Sequence, residues 1–471
     1  MHTPLIEQSY AALPELLYTR VEPQIVAASK LVIANDALAA ELGIDRDWLH
    51  SADALQLLAG NAAPPHGSVI AMAYAGHQFG GFNARLGDGR ALLLGDVVLN
   101  DGTRRELHLK GSGRTIYSRG GDGRATLSAM LREYILSEAM AALAVPTTRS
   151  LAVVETGERV FRQRPERGAV LTRVAKSHVR VGTFQFLAAR GETKAIEALM
   201  AHEIARAMPN VSGAREFLAE VLSRQARLIA QWMSFGFIHG VMNTDNAQIA
   251  GETIDYGPCA FMDGFDPQKV FSSIDENGRY AYDKQPMIGL WNMTRLAECL
   301  LPLLDENREA AIKIAEAELG QFMPLFEAEF EKRMLAKLGI IELSHAQFIT
   351  KTLLSMANAR ADFTRFFTAL TRGDDMKRFF SSDLAHDEWL AEWNVLRARD
   401  ATALMQKHNP VYIARNHRVE AALGAAEDEN YLPLHQLLSA VQNPFTARAD
   451  LVEFENAPDA QEEVLQTFCG T

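Results

Sequence analysis

Gly236-Phe237-Ile238-His239-Gly240-Val241-Met242-Asn243-Thr244-Asp245-Asn246, followed by Thr253-Ile254-Asp255-Tyr256-Gly257, is the stretch on which the reading of this chain turns. Asp245, Asn246 and Asp255 put two carboxylates and a carboxamide close together in sequence. The intervening Ala247-Gln248-Ile249-Ala250-Gly251-Glu252 is short and partly apolar, which suits a small hairpin that would bring them to one point. Hard oxygen donors on such a spacing suit Mg²⁺ bound to phosphates. Any one of these residues taken singly reads as turn chemistry between strands. The pair, with what lies upstream, tips the balance.

Upstream, the texture from Ser68 is short apolar runs broken by glycine. Ala91 to Leu99 reads as a strand, Asn100-Asp101-Gly102 as a hairpin turn, and Glu106-Leu107-His108-Leu109-Lys110 alternates as a half-buried strand does. Gly87 and Gly89 let backbone N–H groups approach a phosphate, and Arg90 adds charge. The pentapeptide Gly87-Asp88-Gly89-Arg90-Ala91 recurs as Gly121-Asp122-Gly123-Arg124-Ala125, two anion-binding turns of similar design. A helix is expected over 125–143, with Leu127, Met130, Leu131, Tyr134 and Ile135 on one side. It carries Glu133, placed to hold Lys110 on nucleotide phosphates. Strands are expected within 151–174 with a turn at 155–158, and Arg173 and Arg180 continue the basic run. Arg recognises phosphate oxygens bidentately, although an exposed basic edge strand would look the same.

Helices dominate elsewhere: Val32 to Gly43, 193–207, 213–235 and almost everything from Pro286 to about residue 425, including 310–330 and 348–371. The expected divisions are a helical extension (1–65), a sheet-bearing lobe with nucleotide-binding loops (66–190), a helical lobe with catalytic and metal-binding loops (191–425) and a tail (426–471).

The 471 residues carry a net charge of −12, which argues against a general nucleic-acid binder. Residues 101–190, however, hold 16 Lys and Arg against 8 Asp and Glu; removing that +8 from −12 leaves −20 for the rest. A basic island in an acidic protein marks a local anion site. Three cysteines, Cys259, Cys299 and Cys469, form no disulfide framework or CxxC pattern, and fit a reducing compartment. The first eight residues lack the features of a signal peptide, and no run of about 18 apolar residues exists. A cytoplasmic location without membrane contact is therefore expected. Walker-A, Rossmann, HExxH and GxSxG patterns are absent.

Glycine-rich sheet, strand Lys, helix Glu, further strands, helices, then an Asp-Asn loop and an Asp-x-Gly is the parts order of a protein kinase. The fold class expected is therefore α+β, protein-kinase-like and two-lobed, with an antiparallel sheet in the first lobe and a large, mostly helical second lobe. The His-Arg-Asp motif is missing, and Asp245 and Asn246 are adjacent where a protein kinase separates the equivalent pair.

Four longer motifs sharpen this: Tyr74-Ala75-Gly76-His77-Gln78-Phe79-Gly80-Gly81-Phe82, Leu107-His108-Leu109-Lys110-Gly111-Ser112-Gly113-Arg114-Thr115, His239 through Asn246, and Thr253-Ile254-Asp255-Tyr256-Gly257-Pro258. With them the chain resembles the selenoprotein O (YdiU) family from about residue 10 to its end. That resemblance implies a kinase-like fold that transfers AMP, not phosphate, from ATP to Ser, Thr or Tyr hydroxyls of proteins, with ATP reversed in the cleft. It implies that Gly87, Gly89, Arg90, Lys110, Asp122, Gly123, Arg173 and Arg180 hold the nucleotide. Glu133 would pair with Lys110, Asp245 would be the general base, and Asn246 and Asp255 would bind Mg²⁺ or Mn²⁺, Asp255 thereby also contacting the nucleotide. UMP transfer with Mn²⁺ and redox control through Cys469, with Cys259 as partner, are further implications. A kinase moving the γ-phosphate and an inactive ATP-binding scaffold are the alternatives.

Overall fold

The computed structural model describes residues 4–65 and 67–468. Its first part contains β1 (Ile6–Glu7), β2 (Tyr18–Arg20), β3 (Lys30–Ala34), α1 (Asp36–Glu41), α2 (Arg46–Leu49), α3 (Ala52–Leu58), β4 (Ile70–Met72), β5 (Gly76–Gln78), β6 (Gly81–Asn83), β7 (Ala91–Val98), β8 (Arg104–Lys110), α4 (Leu127–Ala142), β9 (Arg149–Phe161) and β10 (Pro165–Ala175). Eight of these strands form one antiparallel sheet in the order β2-β4-β7-β8-β10-β9-β3, with β1 also paired to β7; β5 and β6 make a separate hairpin.

Two expectations change here. The stretch from Val32, expected as helix, opens as strand: Leu31 and Ile33 pair with Val154 and Val153 at the sheet edge, where β-branched residues fit. Asn35 then stops the strand and caps α1, accepting the Leu38 N–H at 3.0 Å. Residues 1–65 thus supply three sheet strands as well as three short helices. The turn expected at 155–158 lies inside β9, which runs on to Phe161.

The helix expected over 125–143 is α4, and its five expected core residues are all buried. Arg132, Glu133 and Glu138 are buried too, because the sheet covers one side of the helix and later helices the other. The second lobe contains α5 (Val181–Ala188), α6 (Thr193–Ala207), α7 (Gly213–Ser234), the strand pair β11 (Phe237–Ile238) and β12 (Ala260–Phe261), and α8 (Gln285–Leu304). It continues with α9 (Arg308–Leu319), α10 (Phe322–Lys337), α11 (Ala346–Ala359), α12 (Phe363–Arg372), α13 (Asp383–Leu396), α14 (Ala401–His408), α15 (Asn416–Glu427) and α16 (Leu432–Val441). The two long helices expected at 310–330 and 348–371 are each divided. Arg360 turns left-handed between α11 and α12, and Asp362 restarts the chain by accepting the Arg365 N–H at 2.7 Å. Helix α16, in the segment expected as tail, packs on α4 and α15. The architecture is an antiparallel-sheet lobe joined to a large helical one, a kinase-like two-lobed α+β fold. Among the described residues no helix is long and apolar enough to cross a membrane.

Candidate functional site

Strand β11 delivers the chain into a loop and β12 takes it out, with Phe237 paired to Phe261. Everything between, from His239 to Cys259, hangs from that short ladder. The hairpin expected over 247–252 does not form. That segment pairs instead with the approach to α5: the Val181 N–H donates to the Ala247 carbonyl at 2.9 Å and the Ile249 N–H to the Val179 carbonyl at 3.0 Å. The loop is held by its own polar side chains. His239 is buried and donates from Nε2 to the Ile254 carbonyl at 2.9 Å, fixing the residue before Asp255. Burial lowers its pKa, and its Nδ1 accepts the Val241 N–H at 3.4 Å. Asn243 Oδ1 accepts the Phe79 N–H at 3.1 Å and the Tyr280 hydroxyl at 2.6 Å.

Asp255 itself has φ +68°. A non-glycine residue in that region carries about 1–3 kcal/mol of strain and persists only where its surroundings fix it. Here the fixing partners are cations. Lys110, at the end of β8, pairs with Asp255 Oδ1 and, at 2.7 Å, with Glu133 Oε2 of α4. Arg173 of β10 donates from Nε to Glu133 Oε1, and from Nη2 to Glu133 Oε2 at 3.0 Å and Asp255 Oδ1 at 3.1 Å. Two cations and two carboxylates thus form one closed tetrad. Burial alone would raise the pKa of both acids, but Lys110 and Arg173 overcome it and hold Asp255 well below, and Glu133 below, the usual carboxylate range.

Asp245 has the opposite character. It is 8% exposed, and burial pushes its pKa up to about 6 against the pull of Arg180 and of Gln78. Gln78 Nε2 donates to Oδ2 at 3.2 Å, while Oδ1 is buried with no hydrogen-bond partner. Arg180, at the N-terminus of α5, reaches the Asp245 carbonyl at 3.3 Å and lies 4.4 Å from the centre of the Tyr74 ring.

A cleft of about 300 Å³ between the lobes is lined by eleven of the twelve residues singled out above: Gly87, Gly89, Arg90, Lys110, Asp122, Gly123, Arg173, Arg180, Asp245, Asn246 and Asp255. Glu133 stands behind Lys110. The glycines have an immediate steric duty. A Cβ on Gly89 would come within 2.9 Å of the Tyr117 carbonyl, so residues 87–90 can lie flat on 117–118. The repeated pentapeptides both line the cleft and are tied to one segment, residues 111–113. The Gly111 N–H donates to the Arg90 carbonyl at 2.7 Å, and the Gly113 N–H to the Gly123 carbonyl at 3.0 Å. Asp122 is held by Arg162, at 2.7 and 3.2 Å.

Sequence reasoning missed Tyr74, Gln78, Asp88 and Arg162. Asp88 stood in plain view between Gly87 and Gly89. It is buried, accepts from His108 Nε2 and from the Met72 N–H, both at 3.1 Å, and faces Arg180 at 3.8 Å.

For a divalent cation, the hard donors at the cleft are Asp255 and Asn246, and the unpartnered Asp245 Oδ1 lies in the same cleft. Two or three oxygen donors suit a metal that takes its other ligands from phosphates and water. No group of three His, Cys, Asp or Glu forms a self-sufficient metal site among the described residues. Cys259 is fully buried, and burial pushes its thiol up to about 12, far from thiolate character. Cys469, its expected redox partner, lies outside the described residues.

Comparison with known proteins adds lineage to this geometry. A family model described as Protein adenylyltransferase SelO matches residues 3–442. The chain is 52% identical, over 491 aligned positions spanning all of both chains, to a Protein nucleotidyltransferase YdiU of Rhodopseudomonas palustris (strain BisB5). It is 49% identical over 490 positions, again spanning both chains, to a protein of the same description from Bradyrhizobium sp. (strain ORS 278).

Proposed function

The chain belongs to the protein adenylyltransferase SelO family, and from that premise we propose how its cleft transfers AMP from ATP to a Ser, Thr or Tyr hydroxyl of a protein. The supporting observation is the Lys110–Glu133–Arg173–Asp255 tetrad at the floor of a cleft walled by Arg90 and Arg180. Cations held at a cleft floor by carboxylates can turn to an incoming triphosphate without paying again for their own desolvation.

In this reading Lys110, Arg173, Arg180 and Arg90 bind the phosphates. Gly87, Gly89, Asp122 and Gly123 shape the wall against which the nucleotide lies. Asn246 and Asp255 hold Mg²⁺ or Mn²⁺, which when bound neutralises charge on the phosphate oxygens. With the γ-phosphate drawn in by Arg173 and Arg180, the α-phosphorus faces the acceptor. The acceptor oxygen attacks it, its proton passes to Asp245, and pyrophosphate leaves. A carboxylate poised near 6 and lacking one hydrogen-bond partner is suited to that proton.

Labelled nucleotide tests the reading. ATP carrying label on the α-phosphorus should mark acceptor protein, and ATP labelled on the γ-phosphorus should not. Asp255→Ala should abolish the α-label while the protein still unfolds cooperatively. Transfer of the γ-label, or full activity of Asp255→Ala, would refute it. Running UTP with Mn²⁺ alongside ATP with Mg²⁺ decides the preferred nucleotide.

A further inference from the structure

The β5–β6 hairpin packs directly against Asp245 at the edge of the cleft, which its Gln78 helps to line. Gly76 passes so close that a Cβ there would lie 2.6 Å from Asp245 Oδ1. The His77 N–H donates to Thr244 Oγ1 at 2.7 Å, and Gln78 holds Asp245 itself. Beyond these anchors the tip projects two rings outward, Phe79 at 37% and Phe82 at 46% exposure. Neither belongs to the hydrophobic core. Phe79 leans edge-on against Tyr280 at 5.2 Å, and both are pinned to the catalytic loop through Asn243.

Beside the tip lies Arg279. Its guanidinium is 4.9 Å from the centre of the Trp291 ring and 5.8 Å from that of Tyr280. No carboxylate of the described residues lies within ion-pair distance of it, and its Nε is buried without an acceptor. Nearby Arg295 is also over Trp291, at 5.2 Å, but is already paired with Glu298 at 2.7 Å. Arg279 thus stands without a carboxylate partner at the hairpin tip, 3.8 Å from where a Cβ on Gly80 would lie, between the half-buried Trp291 and the buried Tyr280.

Resting on the reading of Asp245 given above, we infer that Phe79, Phe82, Trp291 and Arg279 form the docking surface for the acceptor polypeptide, and that it selects hydroxyl residues flanked by a carboxylate side chain and an apolar one. The carboxylate would complete Arg279, and the apolar side chain would cover the two exposed rings. Aromatic residues with an Arg are the common anchors of such surfaces, and charge complementarity here steers partner choice.

The test uses synthetic peptides containing one Ser, flanked either by Glu or by Lys, with Leu two positions away. The unsubstituted enzyme should modify the Glu peptide about tenfold more efficiently than the Lys peptide, and Arg279→Gln should erase most of that difference. Phe82→Ala should raise KM for the Glu peptide while leaving kcat nearly unchanged. Both variants should bind ATP, measured calorimetrically, as the unsubstituted enzyme does. Equal use of the two peptides, or an undiminished preference in Arg279→Gln, overturns the docking surface. Label on the enzyme itself but on neither peptide also overturns it and leaves the transfer reaction standing. Label nowhere overturns both.

Discussion

Asp245 and Asp255 sit in one cleft with carboxyl groups driven in opposite directions, and the cause is their neighbours. Asp255 is matched by Lys110 and Arg173, whereas the Asp245 carboxylate meets Gln78, and Arg180 reaches only its backbone carbonyl. An ionised carboxylate buried without full compensation destabilises the fold. The folded-state pKa of Asp245 lies above that of the unfolded chain, so the burden is complete above about pH 6 and vanishes as pH falls to the ordinary carboxylate range. Asp245→Asn should therefore lose AMP transfer and yet gain about 1–3 kcal/mol of stability at pH 8. Denaturant unfolding of the two proteins at pH 8 and pH 4 checks this: the gain should shrink at the lower pH. A less stable Asn variant at pH 8 would contradict the account. At this scale the sequence was readable wherever a residue type announced its chemistry, as Lys110, Glu133 and Asp255 did. It was silent on Gln78 and Tyr74, whose partners Asp245 and Arg180 lie more than a hundred positions away.

Helix α4 carries the burden at the next scale. Glu133 faces the cleft, and the adjacent Arg132 faces away from it. Arg132 donates to the Gly257 carbonyl at 3.0 Å, the Cys259 carbonyl at 2.7 Å and Asn416 Oδ1 at 2.9 Å, and pairs with Glu420 at 2.9 Å. One side chain thus ties α4 to the segment after Asp255 and to α15. Arg132→Met should cost about 2–4 kcal/mol, because it strands buried acceptors. Glu420→Gln, at the half-exposed end of the pair, should change stability by less than about 1 kcal/mol. Urea unfolding of the two variants separates these expectations, and equal effects would remove Arg132 from this role. The amphipathic pattern of α4 was legible, but the burial of its charged side was not, since the covering helices α15 and α16 arrive nearly three hundred residues later. The same limit explains 247–252: a partly apolar hexapeptide suits a hairpin, and only the fold shows that Val179 and Val181 supply its partners.

Across the whole molecule, charge is unevenly spread. Residues 101–190, most of them in the sheet lobe, carry the basic island and the rest of the chain the acidic surplus, and the cleft gathers Lys110, Arg173 and Arg180 from that island against Asp245 and Asp255 from outside it. The two-lobed α+β architecture was readable from the order of strands and helices. The edge position of β3 was not, because a short stretch holding Val32 and Ile33 is ambiguous in isolation and the sheet edge decided it.

The closed tetrad has a thermodynamic corollary. Before any ligand arrives, the two cations that would serve the triphosphate already neutralise the carboxylate that would serve the metal. Whichever ligand binds first releases what the other needs, so nucleotide and divalent ion must help each other by equal factors. Mn²⁺ followed by electron paramagnetic resonance should bind weakly to the free protein and roughly tenfold or more tightly once a non-reactive ATP analogue is present. Glu133→Gln, which loosens the cations from the opposite side, should weaken that mutual dependence. Independent binding of the two ligands would mean the tetrad is a passive brace and not a reciprocal latch.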